Sequence, residues 1–113
     1  MKQYFVYMLA SRRDGVLYVG VTSDLIARVL KHKFGAYEGF TKKYRVHSLV
    51  WFEEFGDIND AIEREKRIKK WNRAWKVALI EKTNLDWSDL FWRMVGPQAA
   101  EEIKRRLGPL SLA

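Results

Sequence analysis

Cysteine is absent from the sequence. Its absence excludes disulfides, thiolate nucleophiles and sulfur-ligated zinc or iron–sulfur sites together, and it is compatible with a reducing cytoplasm. Long apolar runs are missing too: none approaches the ~20 residues that a membrane helix needs. The start, MKQYFVYMLAS, places seven apolar residues after one Lys, at the short limit for a signal-peptide core. Two tyrosines inside that run, and Arg12 and Arg13 directly after it, argue against secretion. Internal repeats and low-complexity segments are also lacking, so a soluble, cytoplasmic protein without membrane contact is expected.

What is present is aromatic and basic. Apolar residues make up 48% of the 113 positions, with five Trp, five Tyr and six Phe. Such a composition can offset the entropy of folding, and a chain of this length buries roughly 65% of its unfolded surface, enough for one core. The net charge of +7 is uneven. Residues 1–34 carry six Lys/Arg against two Asp, and residues 61–84 carry eight against three Glu, whereas 35–60 are net −2 and 85–113 neutral. Two basic segments on one small domain point to a polyanion, most simply a nucleic-acid backbone; the plainer reading is a solvated surface.

Residues 4–9 and 16–21 read as strands joined through ASRRDG, whose Asp-Gly marks a hairpin. Whether the loop is Asp14-Gly15 or Ser11 to Asp14, paired residue numbers sum to an odd value, which puts Tyr7 and Tyr18 on one face. In the four-residue version the two lie directly opposite each other, and Gly20 leaves open space above the sheet. Thr22, Ser23 and Asp24 offer caps for a helix to about Lys33, ended by Phe34-Gly35, with an apolar stripe of Leu25, Ile26, Val29 and Leu30. Arg28 and His32 stack along its edge. A polar connection with Gly39, Thr41 and Lys42-Lys43 leads to a third strand over 47–55. Asp57 caps a helix to about Trp71, a further helix covers about 73–82, and Gly96-Pro97 opens a last one to Leu107, ended by Gly108-Pro109.

Glu65 is the sharpest anomaly, since it falls in the middle of the apolar arc of Ile58, Ala61, Ile62 and Ile68. A buried carboxylate must meet a cation, a metal or an opening to solvent, and a salt bridge to an arginine is the ordinary solution. Arg28 and His32 have the ordinary reading of helix-edge residues, and the tyrosines that of strand packing. Their coincidence is the informative feature, because the tyrosine pair, the Arg28/His32 pair and the inward Glu65 are expected to face the same sheet surface. Phosphodiester hydrolysis calls for a group that takes a proton from water, a cation on the phosphoryl oxygens and a metal on the departing oxygen.

These residues resemble the GIY-YIG endonucleases. The two triplets appear as Phe5-Val6-Tyr7 and Tyr18-Val19-Gly20, with ten residues between the tyrosines. Arg28 follows the second tyrosine by ten positions, His32 comes one helical turn later, and Glu65 sits in REKRIKKW. FTKKY (40–44), LVWFEEF (49–55) and LIEKTNLDWSDL (79–90) resemble the short stand-alone bacterial branch. The first triplet departs from the pattern in having Phe5 for glycine, the branch's usual Asn-Pro is Asn84-Leu85, and the lysine that excision-repair members carry between the triplets is missing.

The resemblance implies an α+β fold, a small three-stranded antiparallel sheet flanked by helices, over residues 1–90, with a C-terminal helical extension over 91–113. It implies a divalent-metal-dependent endonuclease hydrolysing DNA phosphodiesters. In it Glu65 would ligate magnesium or manganese, Arg28 would hold the scissile phosphate, His32 would assist proton handling and Asn84 would shape the site. A free tyrosine has a pKa near 10, so a tyrosine base needs nearby positive charge; Tyr7 is expected as that base and Tyr18 as the group aligning water and phosphate, roles that are interchangeable. Arg12, Arg13, Lys42, Lys43, Arg64, Lys69, Lys70, Arg73 and Lys76 are the expected backbone contacts. No zinc finger or helix-turn-helix module is attached, so branched, nicked or duplex DNA is expected to be recognised by shape, in repair or recombination, by a monomer or weak dimer. The alternatives are a non-cleaving nucleic-acid-binding module on the same fold and a protein-interaction domain using LVWFEEF or the last helix.

Overall fold

The computed structural model describes residues 2–35 and 39–108, with Phe40 and Thr41 described in their backbone only. Pro109, the expected helix stop, and the rest of the tail lie outside the described residues. Strands β1 (Tyr4–Ala10), β2 (Leu17–Thr22) and β3 (Ser48–Phe55) form one antiparallel sheet in the order β2-β1-β3. Helices α1 (Leu25–Lys33), α2 (Phe40–Lys43), α3 (Ile58–Lys70), α4 (Arg73–Thr83), α5 (Phe91–Val95) and α6 (Pro97–Leu107) surround it. The short α2 lies in the segment expected as a polar connection, and α5 at the start of the expected helical extension, ahead of the one helix placed there individually.

β1 is central and covered on both faces, which is why its pattern is almost uniformly apolar. On one face Val6, Met8 and Ala10 pack with Val19, Val50 and Trp51 against Ala61 and Ile68 of α3 and Ile80 of α4. On the other, Tyr7 and Leu9 pack with Leu25 and Val29 of α1, Leu49 of β3 and Phe91 of α5. Leu90, Trp92 and Ile103 join that second layer, so the C-terminal helices lie on the tyrosine side. Among the described residues no helix is long and apolar enough to cross a membrane.

The hairpin register differs from both expected versions. The Ser11 N–H donates to the Val16 carbonyl at 3.0 Å and the Gly15 N–H to the Arg12 carbonyl at 2.9 Å, so the loop is Arg12 to Gly15. Asp14 enters the left-handed region at φ 58°, which Asp tolerates better than most residues. The parity argument holds and the tyrosines share a face, but they are not opposite each other: Tyr7 pairs with Gly20 and Tyr18 with Leu9. The space above Gly20 is therefore filled by the Tyr7 ring. A Cβ on Gly20 would lie 2.5 Å from both Cζ and Oη of Tyr7.

Caps fix the helix starts as their side chains predict. Asp24 accepts the Ala27 N–H at 3.1 Å, Asp57 that of Asn59 at 2.7 Å and Asn72 that of Trp75 at 2.9 Å. Gly96, at φ 84°, turns the chain into Pro97 at the start of α6. The arc predicted for α3 is narrower than expected: Ala61 and Ile68 are buried, while Ile58 is exposed.

Candidate active site

β1, β2 and α1 build the candidate site. Leu25, Val29 and His32 are all buried and fall on one stripe of α1, so anchoring the helix with its two leucine- and valine-sized side chains carries the imidazole down onto the sheet. His32 is thus inside the stripe, with Arg28 half-buried one turn earlier. The Tyr7 hydroxyl and His32 Nε2 are hydrogen-bonded at 3.2 Å. Ring centroids of Tyr7 and Tyr18 lie 6.2 Å apart, those of Tyr7 and His32 6.1 Å, and those of Tyr18 and His32 5.4 Å. Tyr7 is wholly buried, whereas Tyr18, on the edge strand, is half-exposed.

Burial and then the Arg28 charge push His32 from 6.5 down to about 4. The ring is therefore neutral at pH 7 and carries one N–H. With that proton on Nδ1 the Tyr7 hydroxyl donates to Nε2; with it on Nε2 the ring donates to the phenol oxygen. Either way Tyr7 and His32 share a proton inside the layer, while Arg28 supplies the fixed positive charge.

Two residues that the sequence reading passed over hold this end of α1. Lys33, next to His32, is buried and bonded to Asp89, and it donates to the His47 carbonyl at 2.9 Å. Its ammonium lies 5.1 Å from the Phe91 ring centre and 4.8 Å from that of Trp92. Asp89 also accepts the backbone N–H of Leu49 at 3.0 Å and of Phe91 at 3.2 Å. Burial lowers the Lys33 pKa, and the Asp89 carboxylate opposes that shift. The only sequence signal was a lysine inside an otherwise apolar stripe, since its partner is 56 residues away.

The remaining expected residues come from other places. Contrary to expectation, Glu65 does not share the tyrosine surface: α3 packs on the opposite sheet face, and the largely buried Glu65 carboxylate pairs with Lys69 at 3.2 Å, a lysine where an arginine was the ordinary expectation. Asn84 caps α4 and is spent on backbone: its amide nitrogen donates to the carbonyls of Val50 at 3.0 Å and Ser88 at 2.9 Å, and its oxygen accepts the Ser88 N–H at 3.1 Å. Arg64 donates to Glu53 at 2.9 Å and lies over Trp71, 5.3 Å from its ring centre. Arg12, Arg13, Lys42, Lys43, Lys69, Lys70 and Arg73 are exposed, and Lys76 is half-buried. Arg12 and Arg13 flank the hairpin tip, Lys42 and Lys43 lie on α2, and the others sit where α3 meets α4.

A family model described as the GIY-YIG catalytic domain matches residues 3–78. The UPF0213 protein SERP0126 of Staphylococcus epidermidis is 37% identical over 81 residues, which is 72% of this chain and 98% of that protein. A UPF0213 protein of Staphylococcus aureus is 38% identical over the same length, with the same shares covered. The solution NMR structure of the UPF0213 protein BH0048 from Bacillus halodurans aligns at 26% identity and a TM-score of 0.49, covering 77% of this chain and 92% of that one.

Proposed function

Because the chain belongs to the GIY-YIG nuclease family, we propose that it is a divalent-metal-dependent endonuclease that hydrolyses DNA phosphodiester bonds. The observation that carries this reading is the gathering of two phenols, a neutral imidazole and a guanidinium on one sheet face. Fixed positive charge and neutral proton carriers suit a phosphate diester, which is an anion that must be approached by water.

Burial favours the reverse of the expected tyrosine roles. Tyr18, half-exposed on the edge strand, is the phenol that water and phosphate can reach, so it takes the proton. Tyr7 is sealed beneath it and acts through His32, holding the imidazole in place. Arg28 draws the phosphoryl oxygens to this face. Asn84 acts at a distance, fixing the turn after α4 against β3.

Glu65 is the proposed metal-holding residue, and its chemistry fits. Magnesium and manganese sites of this kind need few protein carboxylates, the rest of the shell coming from water and substrate phosphate. Among the described residues there is no cluster of three His, Cys, Asp or Glu, so a single-carboxylate site is the form available. Lys69 is half-exposed, so its ammonium can turn out to water on its long stem and leave the carboxylate to a cation. An ion held there would lie on the α3 side of the sheet, away from the face of Tyr7, Arg28 and His32, so it would supply positive charge to a phosphate lying at the β2 edge, where the two faces meet.

A shape-directed role in DNA repair or recombination, exercised in the cytoplasm by a monomer or weak dimer, is the setting we propose. The same Glu65–Lys69 pair favours a second reading, a nucleic-acid-binding module that does not cut. Incubation with nicked, forked and plain duplexes in magnesium or manganese separates the two. The native protein is expected to cut at least one of them, and Glu65→Ala to bind all three with native affinity without cutting. Cleavage by Glu65→Ala would remove that residue from the mechanism, and an inert native protein would leave the binding module.

A further inference from the structure

We propose that Trp75 is a stacking platform for an unpaired base, and that the α3–α4 junction holds a single-stranded DNA segment. The inference rests on the part of the proposed function that has the protein bind DNA, and it adds which form of DNA the protein selects. The junction reads KKWNRAWK over residues 69–76. Trp75 leaves 60% of its surface in water, among the largest exposures of any big apolar side chain described. The ring is nevertheless held in place. Its backbone N–H is capped by Asn72 at 2.9 Å, and its ring meets Trp71 nearly edge to face, with centroids 5.9 Å apart at 81°. Trp71 is itself covered by the Arg64 guanidinium, which Glu53 fixes at 2.9 Å. An indole supported from beneath and open above is organised before any ligand arrives.

Charge decides what covers it. Lys69, Lys70 and Arg73 are exposed at the same α3–α4 junction, and the Lys76 ammonium donates to the Lys69 carbonyl at 3.5 Å. Residues 66–80 contain no Asp or Glu. A partner here must be a polyanion that also offers flat π faces, which describes a nucleic acid. In a duplex those faces are stacked on one another, so the open indole selects a strand whose bases are unpaired. Lys69 joins the platform to the proposed metal carboxylate, since it pairs with Glu65 at 3.2 Å.

The test measures binding in EDTA by fluorescence anisotropy, with a labelled oligothymidylate and a blunt duplex as probes and the full chain as native, Trp75→Ala and Trp75→Phe proteins. Trp75→Ala is expected to weaken oligothymidylate binding at least about fivefold while changing the duplex less than about twofold, and Trp75→Phe to restore most of the loss. Equal losses on both probes, or none, would overturn the proposal. So would sedimentation showing that Trp75→Ala turns a dimer into a monomer, because the indole then covers a second copy. Without divalent metal no cleavage is involved, so a native protein that fails to cut but keeps the strand preference refutes the nuclease reading and leaves this one standing.

Discussion

His32 is the residue on which the most chemistry converges, because three separate elements decide its state. α1 carries it, β1 brings the Tyr7 hydroxyl to 3.2 Å, and the same burial that seats the ring strips its proton. Gly20 belongs to this arrangement through what it lacks: the Tyr7 ring occupies the volume its side chain would need. The pH dependence follows in sign. The unfolded chain protonates this imidazole at 6.5 and the folded one only near 4, so between those values the unfolded state binds more protons. Stability should therefore fall as pH drops from about 6.5 to about 4. His47 adds to this, its pKa lowered first by burial and then by Lys33. NMR titration of the imidazole C2 protons should place His32 well below 6.5, and His32→Asn should flatten the acid limb of the stability curve. A His32 midpoint at 6.5 would contradict the buried, neutral ring.

Among elements, α1 and the C-terminal segment depend on each other through Lys33 and Asp89. Removing one partner of a buried pair strands the other charge, so Asp89→Ala should cost about 3–5 kcal/mol in chemical denaturation, with Asp89→Asn less severe because it keeps an acceptor for Leu49 and Phe91. An unchanged midpoint in Asp89→Ala would show that the pair does not hold α1. This contact marks where the sequence stops being legible. Local signals sufficed for the caps at Asp24 and Asp57, the Gly96-Pro97 start, and the shared face of the two tyrosines, since each depends on a few adjacent residues or on parity alone. The hairpin register was not readable because it turns on one backbone conformation, that of Asp14. Lys33–Asp89 and Asn84–Val50 join residues 56 and 34 apart, and no periodicity reports such pairs. The short helices α2 and α5 fell below the length at which an apolar period can be recognised.

For the molecule as a whole, the sheet divides the proposed labour. One face gathers Tyr7, Tyr18, Arg28 and His32 under α1 and the C-terminal helices, while the other carries α3 and α4 with Glu65 and the exposed basic junction. Composition had already placed much of the positive charge in 61–84, and in the fold Lys69, Lys70, Arg73 and Lys76 of that segment fall where α3 meets α4. Arg64 and Lys69 are engaged by carboxylates, Glu53 and Glu65. A strand crossing the β2 edge would meet both faces, with Tyr18 on that edge as its first phenol.

The direct test of this account is single-turnover cleavage of whichever branched or nicked DNA the protein cuts, comparing Tyr18→Phe with Tyr7→Phe at saturating protein. Tyr18→Phe should bind with native affinity and cut about 10²–10⁴-fold more slowly, as expected for loss of a proton-transfer group, with a smaller loss for the sealed Tyr7→Phe. Cleavage by Tyr18→Phe at the native rate would contradict the assignment of this face as the active site.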